Sequence, residues 1–199
     1  MRIGPRYKRA RRLGADIFPK TDSPKYAIRA GKALVKGYGR SEFGAQLKEK
    51  QRARFFYGIS ERQFSRYVKN AIAKKSERDD EALYTELETR LDNVIYRFGI
   101  APSRQAARQY VSHGHFTVAG VRVTVPSYRT RIGDVIRLRK GSESKRPFTA
   151  LTDLLRDHEA PLWLRFDAQK GEGVVVGNPN LVKNQLPFNI AAILEFYRR

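Results

Sequence analysis

Between Arg90 and Gly133 the chain reads RLDNVIYRFGIAPSRQAARQYVSHGHFTVAGVRVTVPSYRTRIG, and its apolar period changes from that of a helix to that of a strand inside this one short stretch. Few folds accept such a change. Leu91, Val94, Ile95 and Phe98 fall at i, i+3, i+4 and i+7, one apolar face of a helix that Gly99 can end, with Arg90 and Arg97 together on another face. Ser103 stands at an N-cap position. Ala106, Ala107, Tyr110 and Val111 give a second buried stripe as far as Gly114, with Arg104 and Arg108 one turn apart on its outer side. Beyond Gly114, residues 115–118 and 121–125 alternate as strands around an Ala119-Gly120 turn. A third strand follows Gly133-Asp134, with Ile136 and Leu138 inward and Arg137 and Arg139 outward. Two helices packed on a small antiparallel sheet are predicted for residues 90–146.

Charge decides what such a module meets. The chain carries 40 Lys and Arg against 20 Asp and Glu, a net charge of +20, and a polyanion gains affinity for such a surface by releasing its counterions. The bias is uneven: residues 1–76 hold 21 basic and 5 acidic side chains, residues 90–146 hold 12 and 3, and residues 147–199 hold 6 of each. A partner polyanion therefore meets the first three quarters, and the neutral last quarter is expected to serve structure or protein contact. Within 90–146 arginine far outnumbers lysine, which suits planar, bidentate contact with phosphate better than mere solubility. Nucleic acid, and RNA in particular, is the expected partner. Membrane is not, because apolar runs such as 174–176 and 190–194 are far too short to span a bilayer. With no cysteine and three histidines, no metal site is expected.

Organisation outside the module is mainly helical. Residues 1–39 show little periodicity and are expected to form an irregular basic arm. A helix is predicted over 41–57, closed by Gly58, and Ser60 with Gln63 forms a capping box ahead of a buried face of Phe64, Tyr67, Val68, Ala71 and Ile72. Residues 77–88 form an acidic helix running into the module. From Pro147 onward a short helix, an alternating strand through Leu162, Leu164 and Phe166, a Gly171–Gly173 turn, a strand over 174–176 and a terminal helix over 189–197 are expected. Ile190, Ile193, Leu194 and Tyr197 make a stripe that about 50 residues could hardly bury alone. The fold class is thus α+β: residues 1–89 a basic arm and helical domain, 90–146 the module, and 147–199 a segment packing back on the N-terminal helices.

No nucleophile, base and orienting group come together in the sequence, and no phosphate-cradling loop is present. Asp92, within Arg90-Leu91-Asp92, is read as a helix-start acid. His113 and His115 flank Gly114 at a helix-to-strand corner and point different ways, so hydrogen bonding toward phosphate is expected rather than metal binding. Tyr38 and Tyr57 are the aromatic residues expected to be exposed for stacking on unpaired bases.

The motifs R-L-D-N-x-x-x-R-x-G, S-R-x-x-A-R-x-x-V-x-H-G-H and V-x-G-x-x-x-x-x-P-S-Y-R resemble the RNA-binding module named after small ribosomal subunit protein four. Arg11-Arg12-Leu13-Gly14, Tyr38-Gly39, Gln46 to Gln51, Tyr57-Gly58, Glu61 to Phe64 and Glu195-Phe196-Tyr197 extend the likeness to the bacterial form of that family over nearly the whole chain. The resemblance implies a non-enzymatic protein that binds ribosomal RNA at a junction of the small-subunit 5′ domain, nucleates assembly there, neighbours incoming messenger RNA and touches small-subunit protein five at an interface tied to decoding accuracy. It implies no cofactor, no membrane, no independent homo-oligomer, and a place in the cytoplasmic small subunit, with an organellar ribosome as the lesser possibility. Charge, spacing and resemblance together nominate Arg11, Arg12, Tyr38, Arg40, Lys48, Lys50, Arg52, Arg54, Tyr57, Arg62 and Arg66 in the first part as RNA-binding residues. In the module they nominate Arg90, Asn93, Arg97, Ser103, Arg104, Arg108, His113, Gly114, His115, Ser127, Tyr128 and Arg129. Two departures stand out. Ala119 replaces the usual asparagine or aspartate before the hairpin glycine, implying a looser or different turn, and residues 19–37 lack the zinc-binding cysteines some members carry. An RNA-modifying enzyme of the pseudouridine synthase class and a ribosome-associated stress factor are the alternatives. Both usually carry the module at a terminus.

Overall fold

A computed structural model of the chain describes residues 4–18, 21, 23–30, 41–74, 78–149, 151, 155, 158–167, 170–182 and 186–199. It divides into two units, residues 1–83 with 181–199, and residues 84–180. Residues 147–180 thus lie with the module, not with the N-terminal helices as expected. The cause is hydrogen bonding: the module strand Val135–Leu138 has a second edge, and a hairpin from this stretch pairs with it.

In the first unit the described part of the expected irregular arm is largely helical. Helix α1 (Arg6–Leu13), a 3-10 turn (Ala15–Ile17) and α2 (Pro24–Ala30) bury Ala10, Leu13, Ile17, Phe18 and Tyr26 against Phe55. Burying this apolar set supplies what local periodicity does not. Helix α3 (Glu42–Tyr57) starts at Ser41, whose hydroxyl accepts from Gly44 N at 3.1 Å, and ends at Gly58 with φ +66°. Ser60 likewise accepts from Gln63 N ahead of α4 (Glu61–Ala73). Helix α5 (Asp79–Glu88) leads out of this unit.

The terminal helix is α8 (Ile190–Arg198), capped by Asn189, which accepts from Ala192 N and whose own N–H donates to Glu49 at 2.7 Å. Its apolar stripe packs back on the N-terminal helices as expected, facing α3 more than α4. Polar groups at its ends explain the choice: Gln46 Nε2 donates to Glu195 at 3.2 Å and Arg199 to Glu42 at 2.7 Å. Contact with α4 runs through Tyr197, whose hydroxyl donates to Glu61 at 3.1 Å and whose ring lies 6.4 Å from Phe64.

In the second unit α6 (Leu91–Arg97) and α7 (Arg104–Ser112) cover a five-stranded antiparallel sheet of order β2-β1-β3-β5-β4. The strands are β1 (Phe116–Val118), β2 (Val121–Val123), β3 (Val135–Leu138), β4 (Leu164–Asp167) and β5 (Glu172–Val175). Leu91, Val94, Ile95, Phe98, Ala107, Val111, Phe116 and Ile136 fill the core together with Trp163, Leu164 and Val175 from the added hairpin. Gly173 lies under α6, and a Cβ there would collide with the Phe98 ring. Leu162, expected in a strand, is fully exposed in the turn before β4.

The β1–β2 turn is tight, with Val118 paired to Val121. Ala119 has φ +47° and Gly120 φ +82°, the positive pair that a type I′ turn requires, so alanine is held where asparagine or glycine is at ease. No side chain caps α6. Its first N–H groups, on Leu91 and Asp92, donate instead to the carbonyls of Tyr128 and Pro126 at 2.8 and 3.1 Å. The P-S-Y-R segment is therefore a backbone cap for the first module helix.

Candidate nucleic-acid interface

In the second unit, buried acids organise the arginines. Glu88 is fully buried and accepts a fork from Arg97, Nε at 2.8 Å and Nη2 at 2.9 Å, together with Asn93 Nδ2 at 2.8 Å. Asn93 Oδ1 in turn accepts from Arg104 Nε at 2.8 Å, and the Arg104 guanidinium lies 4.4 Å over the Tyr96 ring. Asp92 holds a second fork, from Arg90 Nε at 3.0 Å and Nη2 at 2.6 Å, and Arg108 approaches the same carboxylate at 3.7 Å. Only Arg108 of that trio reaches solvent to a useful degree. Charges on α7 are thereby fixed in direction before any ligand arrives, which lowers the ordering cost of binding.

At the hairpin end, Gly114 has φ +69° and the Arg122 guanidinium lies across it, donating from Nη2 to His113 O at 3.3 Å. His115 Nδ1 is hydrogen-bonded to the buried Ser142 hydroxyl at 3.0 Å. Burial, with the nearby charges of Lys145, His113, Arg139 and Arg122, holds the His115 imidazole below its ordinary pKa, and its ring is a buried structural group at this corner. Arg129 is exposed beside Glu86 at 3.8 Å, and Tyr128 is exposed beside it.

Several nominated residues are therefore not surface contacts. Arg90 and Asn93 are buried within the acid network, His115 is buried, and Ser103 serves as the α7 cap, accepting from Ala106 N at 3.2 Å. In the first unit Tyr57 is buried edge-on to Phe56 and Phe188 rather than exposed for stacking. Lys50 is buried over the Phe196 ring and paired with Glu61 at 2.9 Å. Arg52 is held by Asp16 at 2.9 Å and Glu49 at 3.4 Å, and Arg54 by Gln51 at 3.0 Å and Glu61 at 3.5 Å. Tyr38 and Arg40 lie outside the described residues. What remains accessible is Arg12, Arg62 and Arg66, with Arg11 and Lys48 half-buried, in the first unit. The second unit offers His113, Tyr128 and Arg129, with Arg104 and Arg108 half-buried and Ser127 and Gly114 as backbone support. Arg122 was missed by sequence reasoning. Its signal was the glycine eight positions earlier, which leaves room for a long side chain.

The first unit also carries a surface of opposite sign. A groove of about 990 Å³ between α3 and α8 is lined by Asp16, Glu42, Glu49, Asp80 and Glu195, with Arg52 its one cation among the described residues. Gln46, 4% exposed, sits in its wall with Oε1 unpartnered. Phosphate is repelled here.

Helices α6 and α7 on the hairpin, following an N-terminal helical unit along the chain, define an S4-domain protein of the ribosomal kind. The S4 domain family model matches residues 89–136, and the ribosomal protein S4/S9 N-terminal domain model matches residues 1–88. Small ribosomal subunit protein uS4 of Mycobacterium marinum is 39% identical over 200 residues, covering 98% of both chains. That of Chloroflexus aurantiacus is 40% identical over 208 residues, covering 99% of this chain and 98% of its own, and that of Acetivibrio thermocellus is 45% identical over 159 residues, covering 80% and 76%. The chain belongs to the family of small ribosomal subunit protein uS4. It is a structural protein of the small ribosomal subunit and not an enzyme. No helix among the described residues is long and apolar enough to cross a membrane.

Proposed function

We propose that this protein grips ribosomal RNA directly at a helical junction of the small-subunit 5′ domain and nucleates assembly there. The observation that carries the reading is the acid-buttressed arginine face: Arg108 of α7, 35% exposed, is set by Asp92 and Arg104 is held by Asn93, with Arg122 and Arg129 exposed on the same unit. Fixed guanidinium forks suit phosphate oxygens. If about 6 to 10 phosphates are contacted, affinity for a 5′-domain RNA fragment falls roughly 10³- to 10⁵-fold between 50 and 200 mM salt. A flat profile overturns the reading.

The acidic groove supports the finer partner. A protein surface that repels RNA inside a +20 chain fits a basic neighbour, and small-subunit protein five, at an interface bearing on decoding accuracy, is the partner proposed, with messenger RNA passing nearby in a cytoplasmic ribosome. Glu195→Lys is expected to lower retention of protein five in reconstituted particles without weakening RNA binding; unchanged retention counts against it.

A further inference from the structure

A cleft of about 330 Å³ opens between α1 and α3, lined by Pro5, Lys8, Arg9, Arg12, Gln51 and the edge of the buried Leu13 and Phe55 pair. We propose that it holds one unpaired nucleotide of the bound RNA, phosphate toward Lys8 and Arg12, base against the apolar wall, with Gln51 reading an acceptor on the base edge. The inference rests on the RNA reading above and adds to it a base-recognising subsite in the first unit.

Size and chemistry select this ligand. The volume lies at the low end for small-ligand sites, enough for a single nucleotide and far too little for a duplex. Lys8 and Arg12 are exposed and belong to no ion pair among the described residues. Among the described residues no acid lines the cleft. The Arg9 guanidinium is held 4.4 Å over the Phe55 ring, with Arg54 over the same ring at 4.5 Å. A flat cation pinned on a ring is a platform on which bases stack. Gln51 Oε1 is occupied, accepting from Arg54 Nε at 3.0 Å, which fixes the amide and leaves Nε2 as the group that faces a ligand. Every polar group offered is then a donor, so the base must present a carbonyl or ring nitrogen. A bare phosphate would leave the apolar wall and the amide unused.

The test uses the full chain with a 5′-domain ribosomal RNA fragment substituted with 4-thiouridine or 6-thioguanosine, irradiated, and mapped by mass spectrometry. Cross-links from an unpaired nucleotide to residues 5–13 or 51–55 are expected. Gln51→Ala is expected to weaken binding about fivefold to tenfold with the salt slope unchanged and Gln51→Glu to weaken it at least as much, whereas Lys8→Ala lowers the slope by about 1. Replacing the cross-linked nucleotide by an abasic one removes any further effect of Gln51→Ala. Wild-type affinity in both Gln51 variants, or sensitivity to Lys8 and Arg12 alone, overturns the subsite and leaves a phosphate track. Cross-links that stay in the second unit overturn it as well, while the RNA reading stands. Failure of the RNA reading itself looks different: no cross-link anywhere and a flat salt profile. Binding of an acidic peptide to the cleft that Gln51→Ala leaves intact also sinks the proposal.

Discussion

Removing Asp92 separates a structural acid from a spare one. The Arg90 and Asp92 side chains are 2% and 6% exposed and joined by a two-point fork, so Asp92→Ala strands a guanidinium in the core of the second unit. Breaking a buried pair by deleting one partner costs about 3 to 5 kcal/mol, and loss of the Arg108 contact does not relieve this, because Arg108 can turn to water. Replacing both members, Arg90→Met with Asp92→Leu, removes the stranded charge and is expected to restore stability to within about 1 kcal/mol of the native protein, since apolar isosteres of buried pairs are often neutral or better. Trp163, the single tryptophan, is buried in this unit, so its fluorescence during urea unfolding reports on this unit. A loss below about 1 kcal/mol for Asp92→Ala, the behaviour of an exposed pair, would refute the reasoning.

The hairpin and its corner give two further outcomes, both read by Trp163 fluorescence. Ala119→Gly relieves a left-handed alanine and is expected to stabilise the second unit by about 1 kcal/mol; a loss would mean that the turn does not strain its alanine. His115 is held below its ordinary pKa, so protonation favours the unfolded chain: its contribution is full above about pH 6.5 and is lost as the pH falls through the lowered folded value. Stability of the second unit therefore declines on the acid side, and His115→Gln flattens that decline. An unchanged slope in the variant would assign the acid sensitivity to other groups.

How much was legible in sequence follows from the range of the forces. Helices α6 and α7, their glycine stops and the Ala119-Gly120 turn were readable because periodicity and turn chemistry act within a few residues. Helix α1 was not, because Ala10 and Leu13 sit among five basic residues and their partner Phe55 is far along the chain. The β4–β5 pair was expected as strands but misassigned, since nothing local says which edge a hairpin will join. Charged residues were read least well. Arg90 and Arg108 look alike in sequence, yet one is a core residue and the other reaches solvent; the acid two positions after Arg90 and the buried Glu88 were the available hints.

Because α8 follows the second unit in the chain and yet packs against α3, a hydrogen bond such as Gln46 to Glu195 spans 149 positions. During synthesis, residues 84–180 are complete and free to fold while the first unit still lacks Leu181–Arg199. At about 5 to 20 residues per second that interval lasts roughly 1 to 4 s. Over that time the α3 face that will receive Ile193 and Leu194 is uncovered, and the acidic groove lacks the wall that α8 supplies. The order of translation thus completes the residues of the second unit before those of the first.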